Sequence, residues 1–82
     1  PALSLGRFAA PEVVEDDGDI RLQWLSVAAR AYINKRADAK ASTCGWVDVR
    51  DPRSPAFFSA PLSDESLQEV LRFVSSEFPA RT

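Results

Sequence analysis

Between Asp19 and Ala41 the chain reads DIRLQWLSVAARAYINKRADAKA, a long stretch rich in apolar residues and free of proline and glycine. Its alanines favour helix, and Asp19 stands where it can cap the first turn. Projected at about 100° per residue, Ile20, Leu22, Trp24, Leu25, Val27, Ala28, Ala29, Ala31, Tyr32 and Ile33 cover an arc of about 240°. A helix resting on one core needs little more than about 100° of apolar surface. The segment therefore predicts a long helix that a chain of 82 residues has little spare mass to cover. A second copy of the chain or another protein is expected over the remainder. A competing reading stays open for Val13–Trp24. Val13-Val14, the Asp-Asp-Gly turn and the alternating Ile20, Leu22 and Trp24 also fit a hairpin.

Composition restricts the class of protein. With 45% hydrophobic residues, the chain has the makings of one small domain, residues 1–82, with a modest core. Cys44 is its one cysteine and histidine is absent, so neither an internal disulfide nor a structural zinc site is expected. A reducing cytoplasm suits such a chain better than an oxidising compartment. No apolar run approaches the roughly 20 residues of a membrane helix. Because methionine is missing, the chain is expected to be a trimmed piece, and signals outside Pro1–Thr82 are left open.

The formal net charge of −2 is unevenly spread. Glu12, Glu15, Asp16, Asp17 and Asp19 cluster ahead of the long segment, while Arg21, Arg30, Lys35, Arg36 and Lys40 lie within it. Acids before a helix and bases along it suit the helix macrodipole. The bases form no clean stripe and the nearby acids would repel phosphate, so nucleic acid is not expected as a partner.

The remaining pieces are read as follows. Pro1–Pro11 is a loose arm in which Leu3, Leu5 and Phe8 alternate. Glu12–Gly18 is an acidic turn region. Gly45 ends the long helix, and Trp46–Arg50 is a strand with Val47 and Val49 on one face and Trp46, Asp48 and Arg50 on the other. A lone strand needs a neighbour, which again suggests association. Phe57 and Phe58, between prolines, make an irregular apolar plug. Ser63 then caps a second helix with Asp64 and Glu65 in its first turn and a Leu62–Leu67 staple. Its inward face is Leu67, Val70, Leu71, Val74 and Phe78, and Pro79 stops it. Phe73 falls at the margin of that face.

Reactive chemistry has few candidates. Lacking histidine, the chain has no usual general base and no Ser-His or Cys-His pair. Cys44 one turn beyond Lys40 is read as a small buried cysteine rather than a nucleophile. Asp48 and Asp51 sit beside Arg50 and Arg53, where ion pairs are expected. Asp16, Asp17 and Asp19 with Gly18 lack the alternating ligands and terminal glutamate of a calcium loop. An enzyme is not expected, and no catalytic, metal or cofactor-binding residue is assigned.

Three classes of function remain: a protein-binding regulator, a small dimeric DNA-binding transcriptional regulator, and a subunit or chaperone-like fragment of a larger assembly. A ribbon-helix-helix DNA binder needs its strand ahead of both helices, whereas the best strand here follows the first. Two segments, IRLQWLSVAARAYINKRADAK and SDESLQEVLRFVSSEF, together resemble small bacterial quorum-sensing antiactivators (QslA-like proteins). That resemblance implies a homodimer that binds a LuxR-type transcription activator and keeps it from dimerising or engaging DNA.

The sequence thus predicts a helix-dominated α+β domain, dimeric, with one long and one shorter α-helix and a short strand between them. Ile20, Val27 and Ala31 of the long helix are expected on the second helix. Its other side is expected to meet a second copy or a target. The interface residues are Leu22, Trp24, Leu25, Ala29, Tyr32, Ile33 and Phe73, with Trp24, Tyr32 and Phe73 as aromatic anchors.

Overall fold

A computed structural model describes residues 8–80. Five strands, β1 (Glu12–Asp16), β2 (Asp19–Leu25), β3 (Ala29–Lys35), β4 (Thr43–Asp48) and β5 (Ala56–Pro61), precede one helix, α1 (Asp64–Glu77). The strands form an antiparallel meander in sequence order. The architecture is mainly β, and this overturns the helix-dominated expectation. The long helix is not formed. Its residues make the β2–β3 hairpin, a short connection and a single 3-10 turn at Ala39–Ala41. With β2 and β3 in its place, no wide helical arc is left for a second copy to cover.

Local chemistry explains the hairpins. The competing reading of Val13–Trp24 is the one found, as β1 and β2 joined by Asp17 and Gly18. Both turn residues have positive φ, 52° and 88°, the twist that a two-residue hairpin loop prefers. At the next turn the Ser26 and Ala29 N–H groups donate to the Ala29 carbonyl (2.9 Å) and to Ser26 Oγ (3.0 Å). A serine side chain thus closes a turn that its alanine-rich surroundings disguise as helix. Asp19, expected as a helix cap, instead accepts from the Ala37 N–H at 2.8 Å and pairs with Arg36 at 3.1 Å.

The strand around Trp46 is not alone, because β3 and β5 flank it. Gly45 lies in its middle rather than at a helix end. A Cβ there would sit 2.3 Å from the Phe58 carbonyl oxygen and 2.8 Å from the Tyr32 hydroxyl. Glycine is what lets the Tyr32 ring lie over β4. Phe57 and Phe58 are not a plug but part of edge strand β5. The Leu62 N–H donates to the Ser42 carbonyl at 2.9 Å. Alternation along the ladder then turns Phe57, Ser59 and Pro61 outward, with Pro55 in the same phase. Prolines at these positions remove donors from an exposed edge.

The core lies between the sheet and α1, which crosses β3 and β4. The helix is the one the sequence predicts. Ser63 caps it, with the Ser66 N–H donating to Ser63 Oγ (3.2 Å) and the Ser63 N–H donating to Ser66 Oγ (2.8 Å). Val70 and Val74 are fully buried against Ala31 and Cys44. Trp46 stacks on Phe73 with centroids 4.4 Å apart, and on Phe58 at 6.4 Å. Phe8 packs edge-on to Trp24, whose Nε1 donates to the Ala9 carbonyl at 2.7 Å. The Ala9 N–H in turn donates to the Phe78 carbonyl. Leu3 and Leu5 lie outside the described residues. The contact expected between two helices is replaced by helix on sheet. Ala31 reaches the core from a strand, while Ile20 and Val27 are exposed. No described helix is long and apolar enough to cross a membrane.

Candidate functional site

Alternation gives the sheet two faces, and α1 covers one of them. The register places the residues of the other in rows that run across the strands. The first is Leu25–Arg30–Val47–Phe57, from β2 to β5. The second is Glu12–Gln23–Tyr32–Gly45–Ser59, across the whole sheet. Val14–Arg21–Asn34–Thr43–Pro61 forms the third. Asp16 and Asp19 end the face beyond it. The sheet residues that pack in the core with α1, Leu22, Trp24, Ala31, Ile33, Cys44, Trp46 and Phe58, all lie on the opposite face.

The two ends of this face differ in character. In the first row Leu25 is 58% exposed and Phe57 73%. Val27, at the tip of the β2–β3 hairpin, is fully exposed, and Val49, whose N–H donates to the Ala28 carbonyl, lies exposed at the same end. Arg30 stands in the middle of this apolar row. Leu25, Arg30, Tyr32 and Val47 share a shallow depression with Arg21 and Gln23. The opposite end is a polar depression among Asp16, Asp19, Asn34 and Arg36, where Asp19 and Arg36 pair.

Electrostatics separates the arginines of the face. Arg36 is matched by Asp19, whereas Arg21 and Arg30 form no ion pair among the described residues. Arg21 places its guanidinium 6.0 Å from the Tyr32 ring centre, a cation–π contact. The Tyr32 hydroxyl lies 3.2 Å from Ser59 Oγ. These contacts hold Tyr32 flat across the middle of the face and leave Arg30 the one arginine in the first row.

The expected interface residues divide between the two sides of the sheet. Trp24 and Ala29 are buried, and Leu22, Ile33 and Phe73 pack against the core on the helix side. Leu25 and Tyr32 are brought together on the open face, in adjacent rows. Sequence reasoning missed Arg30, Val47 and Phe57. The signal for them was phase. Val47 was already assigned opposite to Trp46, and Phe57 follows Pro55, a residue that marks an edge strand.

Other groups considered in the sequence are engaged elsewhere. Cys44 is fully buried beneath α1. Asp48 faces Arg50, whose guanidinium also reaches Glu77 of α1 at 3.0 Å, and this holds the Asp48 carboxyl below the usual carboxylate range. Asp51 Oδ1 accepts from the Arg53 N–H at 3.0 Å. Asp17 and Gly18 form a hairpin turn rather than a loop around an ion. Among the described residues no group of three or more His, Cys, Asp or Glu side chains converges to hold a metal ion. The open face offers apolar contact and two unpaired guanidinium groups, which is the chemistry of recognition. No protein-family model, curated protein or solved structure matches this chain.

Proposed function

We propose that this domain is a non-enzymatic regulatory protein that works by binding another protein on the open face of its sheet. The observation that carries this reading is the row Leu25–Arg30–Val47–Phe57, where Leu25 and Phe57 stay exposed on either side of an arginine that has no ion pair among the described residues. Contiguous exposed apolar surface marks interaction sites in soluble domains, and aromatic and arginine side chains dominate interface energetics. A narrower form of the proposal rests on the resemblance alone: the bound protein is a LuxR-type activator held back from dimerising or from engaging DNA. Of the two segments that carry the resemblance, the first is a hairpin here and the second is α1 with its cap.

A photo-crosslinking amino acid placed at Phe57 or Leu25, in cells that make the protein, tests the reading. A discrete protein adduct is expected from both positions and none from Glu65, which is exposed on the far side of α1's first turn. No adduct from the sheet positions, or equal adducts from Glu65, would overturn it.

A further inference from the structure

The arginine in the apolar row restricts what can cover it. A second copy laid face to face is the simplest occupant, and an aligned two-fold contact has two forms. An axis parallel to the strands keeps each row over itself. Arg30 then meets Leu25, Val47, Phe57 or another Arg30. An axis across the strands keeps each strand over itself, and Arg30 meets Arg30, Tyr32, Asn34 or the Arg36 just beyond β3. Neither form brings a carboxylate to Arg30, so each would bury an unpaired charge, which is costly. The acids of the face, Glu12, Asp16 and Asp19, all lie on β1 or at the start of β2.

A nucleic acid fits the face poorly as well. Among the described residues only Arg21 and Arg30 are unpaired there, and a phosphate backbone that ran along the strands would pass from Arg30 toward Asp16 and Asp19. The occupant that satisfies the row brings apolar side chains for Leu25, Val47 and Phe57 and a carboxylate for Arg30. The acids at the far end of the face would then repel it if it lay in the reverse direction.

We infer that the end of the open face formed by Leu25, Arg30, Val47 and Phe57 receives an acidic amphipathic segment of a different protein, its apolar side on the valine, leucine and phenylalanine and its carboxylate on Arg30. This rests on the protein-binding reading above and names the chemistry of the partner.

The test uses two short synthetic amphipathic peptides with identical Leu and Phe positions, one with Glu at its polar positions and one with Lys. Each is titrated into the isotopically labelled domain and followed by backbone amide shifts. The Glu peptide is expected to shift Leu25, Arg30, Val47 and Phe57 and to leave the α1 residues Glu65 and Gln68 unmoved. In Arg30→Glu its affinity is expected to fall about tenfold or more while that of the Lys peptide rises, because the change reverses the charge complementarity. Arg30→Gln, which removes the charge alone, is expected to fall between. Arg30 is exposed, so neither variant disturbs the core. Equal binding of both peptides at the row would overturn the inference and leave the protein-binding reading standing. Shifts from neither peptide would remove both. A dimer by light scattering that Leu25→Ser abolishes would also overturn the inference, in favour of a second copy.

Discussion

Two neighbouring rows of the sheet differ by one residue on every strand. Trp24–Ala31–Trp46–Phe58 lies under α1 and the segment at Phe8, and Leu25–Arg30–Val47–Phe57 lies on the open side. Both rows are dominated by large apolar side chains, so hydrophobicity does not decide which is covered. Size on β3 does. Ala31 is 1% exposed, and its small side chain lets α1 approach until Val70 and Val74 are fully buried. On the open side the same strand presents Arg30 and Tyr32, which a helix cannot cover without stranding a charge. The small residue on that side is Gly45, and Tyr32 of the chain itself fills the space over it. One face is finished from within, and the other keeps the residues a partner would need.

Truncating adjacent residues of β2 should separate the two faces by stability. Trp24→Ala removes a buried indole, its contact with Phe8 and the hydrogen bond to Ala9. It is expected to cost about 3–5 kcal/mol, much of the stability of a small domain. Leu25→Ala, one position on, is expected to change stability by no more than about 0.5 kcal/mol. Urea denaturation followed by circular dichroism measures both. Similar losses in the two variants would mean that the open face is packed against the rest of the chain.

Gly45→Ala probes the packing on the open side. Its new Cβ would meet the Phe58 carbonyl, which is backbone and can move only if the β4–β5 pairing shifts. About 1–3 kcal/mol of destabilisation is expected. Adding Tyr32→Ala should recover little of it, because the closest atom belongs to β5 and not to the tyrosine. Full recovery in the double variant would place the conflict at the ring instead.

These same residues show why part of the fold was readable in the sequence and part was not. α1 was readable because its cap, its first-turn acids, its apolar spacing and Pro79 all act within one helix. The β1–β2 turn carried an Asp-Gly signal of equally local kind. The β2–β3 hairpin was hidden by its own composition. A sheet with apolar residues in both phases spreads them around a helical projection, so the wide arc from Ile20 to Ile33 reflected two apolar faces of strands. Alanine favours helix in isolation, yet Ala31 serves here to admit α1, a contact with residues some forty positions away. The interface prediction inherited this error. It placed Trp24 and Ala29 at the surface with Leu25, although strand alternation separates them. On a helical projection Arg30 is only one of the scattered bases, because its place between Leu25 and Val47 depends on long-range register.

The smallest expected effect lies where the covered face meets α1. Arg50 bridges Asp48 on β4 and Glu77 near the end of the helix, and its hydrogen bonds lower the Asp48 pKa. A carboxyl whose folded pKa is depressed stabilises the fold above its unfolded pKa of about 3.9 and loses that contribution as pH falls through the folded value. Arg50 is solvent-exposed and its two partners are only half-buried, so the effect is small and screened by salt. Arg50→Gln is therefore expected to lower the denaturation midpoint slightly at neutral pH and low salt. The gap should close only as the pH falls through the lowered value of folded Asp48 and the carboxyl is protonated in both proteins. A gap that persists there would assign the contribution of Arg50 to the packing of its stem against α1 rather than to its charge. The join between sheet and helix would then be apolar to its margin.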